Sequence, residues 1–173
     1  SMNIYNADGS QAEMCGNAIR CVAKYIYDNK KKRDRIKIDT LSGVKVVEMY
    51  SQGGKAVGGT VNMGKPTFNG RQIPTRYGMS VVKDQILNID NEDYKITCVG
   101  MGNPHCVVFC DGIDNLNLAK IGPFFEHHEM FPERINTEFA EIIDENNLKM
   151  RVWERGSGET LACGTGACAV AVA

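Results

Sequence analysis

Hydrophobic residues recur at helical spacing near the start of the chain. From residue 17 to residue 29 the apolar side chains are three or four positions apart: Ile19, Val22, Ala23, Ile26 and Tyr27. This spacing places them on one face of an amphipathic helix. A second apolar stretch, residues 167–173, follows Cys163-Gly164. We therefore predict a helix near each end of the chain.

Short segments with alternating or β-branched residues occupy most of the chain between these helices. We predict strands over residues 35–40, 44–50, 56–63, 94–99 and 106–110. Residues 138–143 and 148–153 flank the polar run 144–147 and predict a hairpin. Residues 116–128 predict a short helical stretch that Gly122-Pro123 interrupts. The predicted fold class is α+β and rich in strands, with any domain boundary in a short loop near residues 63–75.

The net charge and the short apolar runs of the chain argue against two classes of partner, nucleic acids and membranes. The chain has 20 basic and 21 acidic residues, and its formal net charge is -1 at pH 7. No net positive field is available to hold a polyanion. The apolar runs are also far shorter than the roughly 18 residues that span a bilayer. We expect neither a nucleic acid nor a membrane as a partner.

The cysteine content raises a question about chemistry. The chain has seven cysteines, an odd number that cannot pair completely, and no secretory signal is visible. We therefore expect reduced thiols in a cytoplasmic protein. The spacing does not include the C-x2-C knuckle of a zinc ribbon, so we expect no metal.

Two of the cysteines share a local design. Cys15-Gly16 opens the first predicted helix and Cys163-Gly164 opens the last, and the two cysteines are 148 residues apart. Each pair follows a polar loop that contains Gly-Ser, at residues 9–10 and 156–157. We interpret this weak repeat as two related halves that each deliver one thiol. For the other five cysteines we predict packing in the core: Cys21, Cys98, Cys106, Cys110 and Cys168.

The position of these two thiols favours acid/base chemistry. At a helix start, unpaired backbone N–H groups and the helix dipole favour the thiolate, so we expect the pKa of both thiols to lie below about 8.5. The same N–H groups form a site for a carboxylate. One thiol can remove a proton from one face of a carbon while the other delivers a proton to the opposite face. This reasoning leaves a redox dithiol pair open as the alternative.

Three segments, taken in order, resemble the diaminopimelate epimerase family. Residues 6–21 read Asn-Ala-Asp-Gly-Ser-Gln-Ala-Glu-Met-Cys-Gly-Asn-Ala-Ile-Arg-Cys, and residues 102–107 read Gly-Asn-Pro-His-Cys-Val. Residues 154–168 read Glu-Arg-Gly-Ser-Gly-Glu-Thr-Leu-Ala-Cys-Gly-Thr-Gly-Ala-Cys. The resemblance extends from end to end. The related proline racemases are similar around the two cysteines but typically carry His where Asn17 stands.

The resemblance implies an epimerase that interconverts LL- and meso-diaminopimelate, without a cofactor, on the bacterial route to lysine and peptidoglycan. It implies that Cys15 and Cys163 are the acid/base thiols and that His105 and Glu154 support the proton transfers. It assigns substrate contacts to a larger set: Asn6, Gly16, Asn17, Asn103, Asn136, Glu154, Arg155, Gly164 and Thr165. The helix-start members of this set would donate N–H groups to the reacting carboxylate.

The resemblance also implies a division of the chain. The family fold has two pseudo-symmetric, β-rich lobes, each with a helix, that close on the substrate. Residues 1–65 would be the remainder of the first lobe and residues 66–173 the second. Family members begin with a further N-terminal segment and continue beyond the last helix, so we expect this chain to be truncated at both ends.

The remaining expectations concern partners and competing functions. We expect a small-molecule amino acid, diaminopimelate, as the substrate. A homodimer is a possible oligomeric state. A racemase or epimerase of another amino acid, such as a proline-type substrate, is the competing enzyme. A thiol redox or binding protein is the competing function outside enzymes.

Overall fold

A three-stranded antiparallel sheet and a helix form the first part of the chain. The computed structural model describes residues 1–78 and 81–173. Its first elements are β1 (Ile4–Tyr5), β2 (Gln11–Ala12), α1 (Gly16–Asn29), β3 (Arg35–Thr40), β4 (Gly43–Gln52) and β5 (Lys55–Val61). The sheet has the order β3-β4-β5, and β1 pairs with β2. The apolar face of α1 packs on the sheet, so the predicted amphipathic helix has its own buried core.

A six-stranded sheet forms the second part. Its elements are β6 (Gln85–Ile89), β7 (Glu92–Gly100), β8 (Pro104–Phe109), β9 (Asn136–Asp144), β10 (Asn147–Glu154) and β11 (Gly158–Thr160), in the order β11-β10-β9-β8-β7-β6. A short 3-10 helix (Ile113–Asn115), α2 (Leu118–Glu126) and α3 (Gly164–Val172) complete the fold. Only β8 and β9 pair in parallel among the strands of this sheet in the described residues.

The parallel pair of β8 and β9 places polar residues side by side. Its register sets His105 opposite Asn136 and Val107 opposite Glu138. Because side chains alternate along a strand, Asn136 and Glu138 lie on the same face as Ala140. That face packs on α3 through Val107 and Ala140, whereas the other face packs on α2. The register therefore brings an imidazole, an amide and a carboxylate beneath the start of α3.

The predicted α+β class is confirmed, and each predicted strand and terminal helix is present within a few residues of its predicted bounds. The predicted interruption at Gly122-Pro123 is wrong, because α2 continues through Pro123. The buried contacts of Leu118 and Phe125 with the core offset the cost of a proline inside a helix. The short strands β1, β2, β6 and β11 were not predicted; exposed Ile86 obscures the alternation in β6.

Within residues 1–78 and 81–173, no helix is both long enough and apolar enough to cross a membrane.

Gly122 of α2 packs against Trp153 of β10, and this contact yields a stability prediction. A Cβ atom at this position would overlap the Trp153 ring. We expect Gly122→Ala to lower the free energy of unfolding by about 1–3 kcal/mol, because the ring or the helix must move. Urea unfolding of the intact protein measures this loss, with Gly58→Ala as the control. A Cβ at Gly58 meets Tyr50 at an ordinary 3.5 Å, so equal losses in the two variants would contradict the packing argument.

Candidate active site

The two cysteines singled out by the sequence occupy equivalent positions at two helix starts. Cys15 is the N-cap of α1, and its Sγ accepts a hydrogen bond from the Ala18 N–H at 3.5 Å. Cys163 is the N-cap of α3, and its Sγ accepts from the Gly166 N–H at 3.3 Å. In both helices the sulfur takes the position that a Ser or Asp oxygen usually occupies. The first two N–H groups of each helix have no acceptor within their own helix.

The starts of α1 and α3 approach each other closely. A Cβ atom at Gly16 would lie 3.9 Å from the Gly164 Cα, an ordinary contact distance, so the two backbones lie close together at these glycines. The Asn17 side chain ties the two starts together by donating from Nδ2 to the Ala162 carbonyl at 2.9 Å. The geometry therefore brings the two Cys-Gly segments to one place, although they are distant in the sequence.

The pKa of the Cys163 thiol is higher than its position at a helix start predicts. Its side chain is buried, and burial together with the carboxylates of Glu138 and Glu154 raises its pKa to about 12. The hydrogen bonds from Thr165 and Gly166 lower the pKa without compensating for these effects. The expectation of a lowered pKa at Cys163 is therefore wrong, because the loss of solvation and two negative charges outweigh the helix start.

The other five cysteines divide by burial. Cys98 and Cys106 are fully buried neighbours on β7 and β8, which confirms the packing prediction for them. Cys110 and Cys168 are half-buried and pack against the core. Cys21 is exposed on α1, so the packing prediction is wrong for Cys21.

A chain of hydrogen bonds runs from the sheet to Cys163. His105 Nε2 lies 2.9 Å from Asn103 Oδ1, and Asn103 Nδ2 donates to Thr165 Oγ1 at 3.3 Å. Thr165 Oγ1 in turn lies 3.3 Å from Cys163 Sγ. On the other side of the ring, His105 Nδ1 lies 2.7 Å from Oε1 of Glu138, and both side chains are fully buried. Three of the predicted site residues are thus linked in series to the sulfur.

Sequence reasoning missed Glu138. It occupies β9 between Asn136 and Ala140, in a strand segment whose residues are all buried. A buried carboxylate is rare unless it is paired. The signal that could have identified it is a single charged residue among residues 136–140, which are otherwise uncharged.

Asn136 and Arg155 form a second polar group beside the hydrogen-bond chain. Asn136 Nδ2 donates to the Pro104 carbonyl, and its Oδ1 accepts from the Arg155 N–H, both at 2.9 Å. Arg155 Nη2 pairs with Glu13 at 2.6 Å. Arg155 is thus paired with the segment before Cys15, whereas the neighbouring Glu154 accepts a hydrogen bond from the Thr160 hydroxyl.

The loop at residues 6–10 is tied to the second sheet. Asn6 Nδ2 donates to Ser10 Oγ at 3.1 Å, within the loop. Asp8 accepts from Arg134 at 2.8 Å, and its N–H donates to the Gly156 carbonyl at 3.3 Å. Hydrogen bonds from Ser10 and Arg134 hold the pKa of Asp8 well below its usual range. These contacts fix the loop that carries Asn6 against the loop that follows Glu154-Arg155.

A cavity of about 240 Å³ lies where these groups meet. Six predicted site residues line it: Asn6, Cys15, Asn103, Asn136, Glu154 and Arg155. Among the described residues, Cys163 and His105 do not line this cavity. Both are connected to it by hydrogen bonds through Asn103, His105 directly and Cys163 by way of Thr165. Two larger cavities also reach predicted residues: one of about 310 Å³ at Asn17, and one of about 320 Å³ at Asn103 and Arg155. Neither is lined by Cys15 or Cys163. We place the candidate site in the smaller cavity because polar groups and a thiol converge there.

The profile of the diaminopimelate epimerase family matches residues 1–69 and 97–173. The chain belongs to this family. A diaminopimelate epimerase from Acetivibrio thermocellus is 53% identical over 173 residues, and one from Desulfovibrio desulfuricans is 52% identical over 179 residues. Each match covers 99% of this chain and 62% of the relative. The chain therefore spans about three-fifths of the length of these relatives.

Solved structures support the same fold. A hydroxyproline epimerase from Agrobacterium vitis matches with a TM-score of 0.65, over 94% of this chain and 52% of that chain. Its sequence identity of 11% supports a shared fold alone. This neighbour thus supports the α+β architecture described above.

The high pKa of Cys163 can be tested without measuring turnover. We expect the rate of alkylation of Cys163 by iodoacetamide to keep rising above pH 9, because the thiolate reacts and a pKa of about 12 leaves the thiol protonated there. Peptide mapping by mass spectrometry measures this rate. The same protein unfolded in urea is the control. In it, the plot of alkylation rate against pH should have its midpoint at about pH 8.5 and level off above that. A similar midpoint in the folded protein would contradict the assignment.

Proposed function

We propose that the protein containing this chain interconverts LL- and meso-diaminopimelate with Cys15 and Cys163 as its acid/base pair. The single observation that carries this proposal is the meeting of two Cys-Gly helix starts, with Gly16 and Gly164 in close approach. The family assignment and the names of the relatives support the choice of substrate.

The proposed reaction needs one thiolate and one thiol. Cys15 Sγ takes the α-proton of the substrate, which leaves a carbanion next to the carboxylate. Cys163 S–H then delivers its proton to the opposite face, so that the sulfurs have exchanged protonation states when the stereocentre has inverted. In the reverse direction the two thiols exchange roles. The raised pKa of Cys163 supports its assignment as the group that begins as the proton donor.

The helix starts are proposed to stabilise the carbanion. The N–H groups of Gly16 and Asn17 in α1 and of Gly164 and Thr165 in α3 would donate to the carboxylate at the reacting carbon. Two converging helix dipoles stabilise the charge that moves onto this carboxylate in the transition state. Positioned acid/base catalysis contributes about 10² to 10⁴ in rate, so this electrostatic stabilisation must supply much of the remainder.

The remaining predicted residues are proposed to recognise the rest of the substrate. Asn6, Asn136 and Arg155 line the cavity with amide and guanidinium groups that suit a second amino-acid end. Glu154, which contributes to the high pKa of Cys163, and His105 would support the proton transfers. The substrate would be held between two lobes, residues 1–65 and residues 66–173, because the cavity is lined from both sides of this boundary.

Epimerisation by the intact protein tests this function. We expect LL-diaminopimelate to be converted to a mixture with the meso isomer, as measured by chiral chromatography without an added cofactor. Cys15→Ala and Cys163→Ala should each lower kcat at least a thousandfold, since neither thiol has a substitute for its own face.

Cys21→Ala is the matched control for these variants. Cys21 lies six residues after Cys15 on the same helix, and its side chain is exposed, so its removal should leave kcat within about twofold. Near-normal turnover by either Cys15→Ala or Cys163→Ala would refute the two-thiol assignment. Activity on proline in place of diaminopimelate would refute the substrate.

We also propose a cytoplasmic location, because seven reduced cysteines suit a reducing compartment. The homodimer considered from the sequence stays a prediction, which the mass of the intact protein in solution tests.

A further inference from the structure

We propose that Glu138 is a positioning residue that orients His105 and, through it, the hydrogen-bond chain that ends at Cys163. This inference rests on the proposed two-thiol function and adds a residue to it. Glu138 lies on β9, beneath the start of α3, and it does not line the cavity among the described residues. It therefore acts through other residues.

The buried surroundings of Glu138 leave His105 as the hydrogen-bond partner of its carboxylate among the described residues. The side chain is fully buried, and Oε1 lies 2.7 Å from His105 Nδ1. Oε2 is buried and has no hydrogen-bond partner among the described residues. A buried carboxylate is costly without compensation, so the contact with His105 carries most of the stabilisation of this charge.

The packing of α3 prevents the carboxylate from turning away. A Cβ atom at Gly166 would lie 2.5 Å from Oε1 of Glu138, so the first turn of α3 presses on the carboxylate and only glycine fits there. The same Gly166 donates its N–H to Cys163 Sγ. Glu138 thus contacts both the ring that begins the chain and the helix turn that holds the sulfur.

The hydrogen-bond chain has a defined direction when Glu138 accepts a hydrogen bond from His105 Nδ1. A carboxylate can only accept, so Nδ1 must carry the proton. Asn103 Oδ1 can also only accept, so Nε2 must carry a proton as well and both ring nitrogens donate. The Asn103 amide then donates from Nδ2 to the Thr165 hydroxyl. With Asn103 donating to Thr165, the Thr165 hydroxyl is free to donate to Cys163 Sγ. The chain then stabilises the sulfur whenever it becomes a thiolate during turnover.

The charge of Glu138 acts on the same sulfur through space. Among the groups facing this region, the carboxylates of Glu138 on β9 and Glu154 on β10 both raise the pKa of Cys163. His105 and Cys106 on β8 are the other titratable groups beside Glu138. Position and charge can be separated by two substitutions: Glu138→Gln keeps the shape and removes the charge, whereas Glu138→Asp keeps the charge and withdraws the oxygen from His105.

The test uses the intact protein and compares these variants by kinetics. We expect each variant to lower kcat by about tenfold or more, with KM changed less than about threefold, since Glu138 acts on the proton transfers and not on the substrate. Only Glu138→Gln should also move the alkylation profile of Cys163, to about one pH unit lower, because it alone removes the charge. Glu141→Gln is the matched control on the same strand and should leave kcat within about twofold.

Nuclear magnetic resonance of the imidazole nitrogens provides a readout that a merely structural residue would not change. The chain has three histidines, so variants of His127 and His128 assign the His105 signals. We expect a proton bonded to Nδ1 in the wild type, and we expect this signal to shift or broaden in both Glu138 variants. An unprotonated Nδ1 in the wild type, or kcat values within twofold in both variants, would overturn the proposal.

The outcome also separates this inference from the proposed function. If the wild type lacks epimerase activity, the proposed function fails, while the nitrogen spectrum still reports whether Glu138 holds the Nδ1 proton. If the wild type is active and both Glu138 variants match it, this inference fails alone.

Discussion

The close approach of two helix N-termini is the constraint on which the rest of the site depends. The starts of α1 and α3 meet at Gly16 and Gly164, and each helix presents a cysteine at its N-cap. The polar contacts across the boundary, such as Arg155 with Glu13, hold the same arrangement from the other side of the cavity.

The two helix starts supply positive potential, and the sheet beneath α3 supplies negative charge. Burial and the carboxylates of Glu138 and Glu154 outweigh the dipole at Cys163 and keep it a thiol. The proposed reaction requires one protonated and one unprotonated sulfur at the start of a turnover, and the raised pKa of Cys163 fits the protonated one. The chain from Glu138 through His105 to Thr165 offers a way to stabilise the same sulfur once it has given up its proton.

Local patterns in the sequence were sufficient to predict α1 and the longer strands. The amphipathic spacing predicted α1, and alternation predicted the longer strands, because these signals arise from neighbouring residues. The cysteines could be singled out because a helix start with an adjacent glycine is also local. The continuation of α2 through Pro123 could not be predicted, since buried contacts with distant strands offset the local cost.

The rest of the site depends on contacts between distant segments. The parallel pairing of β8 with β9 sets His105 beside Asn136, and no local signal specifies that register. For the same reason, sequence reasoning did not find Glu138 and gave the wrong direction for the pKa of Cys163. Burial and the charges of distant strands determine both, and neither is a property of a single segment.

The most direct test of the account is the fate of the α-hydrogen at the start of the reaction. The intact protein is given LL-diaminopimelate in deuterium oxide, and both isomers are isolated at low conversion for analysis by mass spectrometry. Two thiols on opposite faces predict that the meso product carries solvent deuterium while the remaining substrate keeps its original hydrogen. A product that retains the substrate hydrogen would show that one group serves both faces and would contradict the central claim.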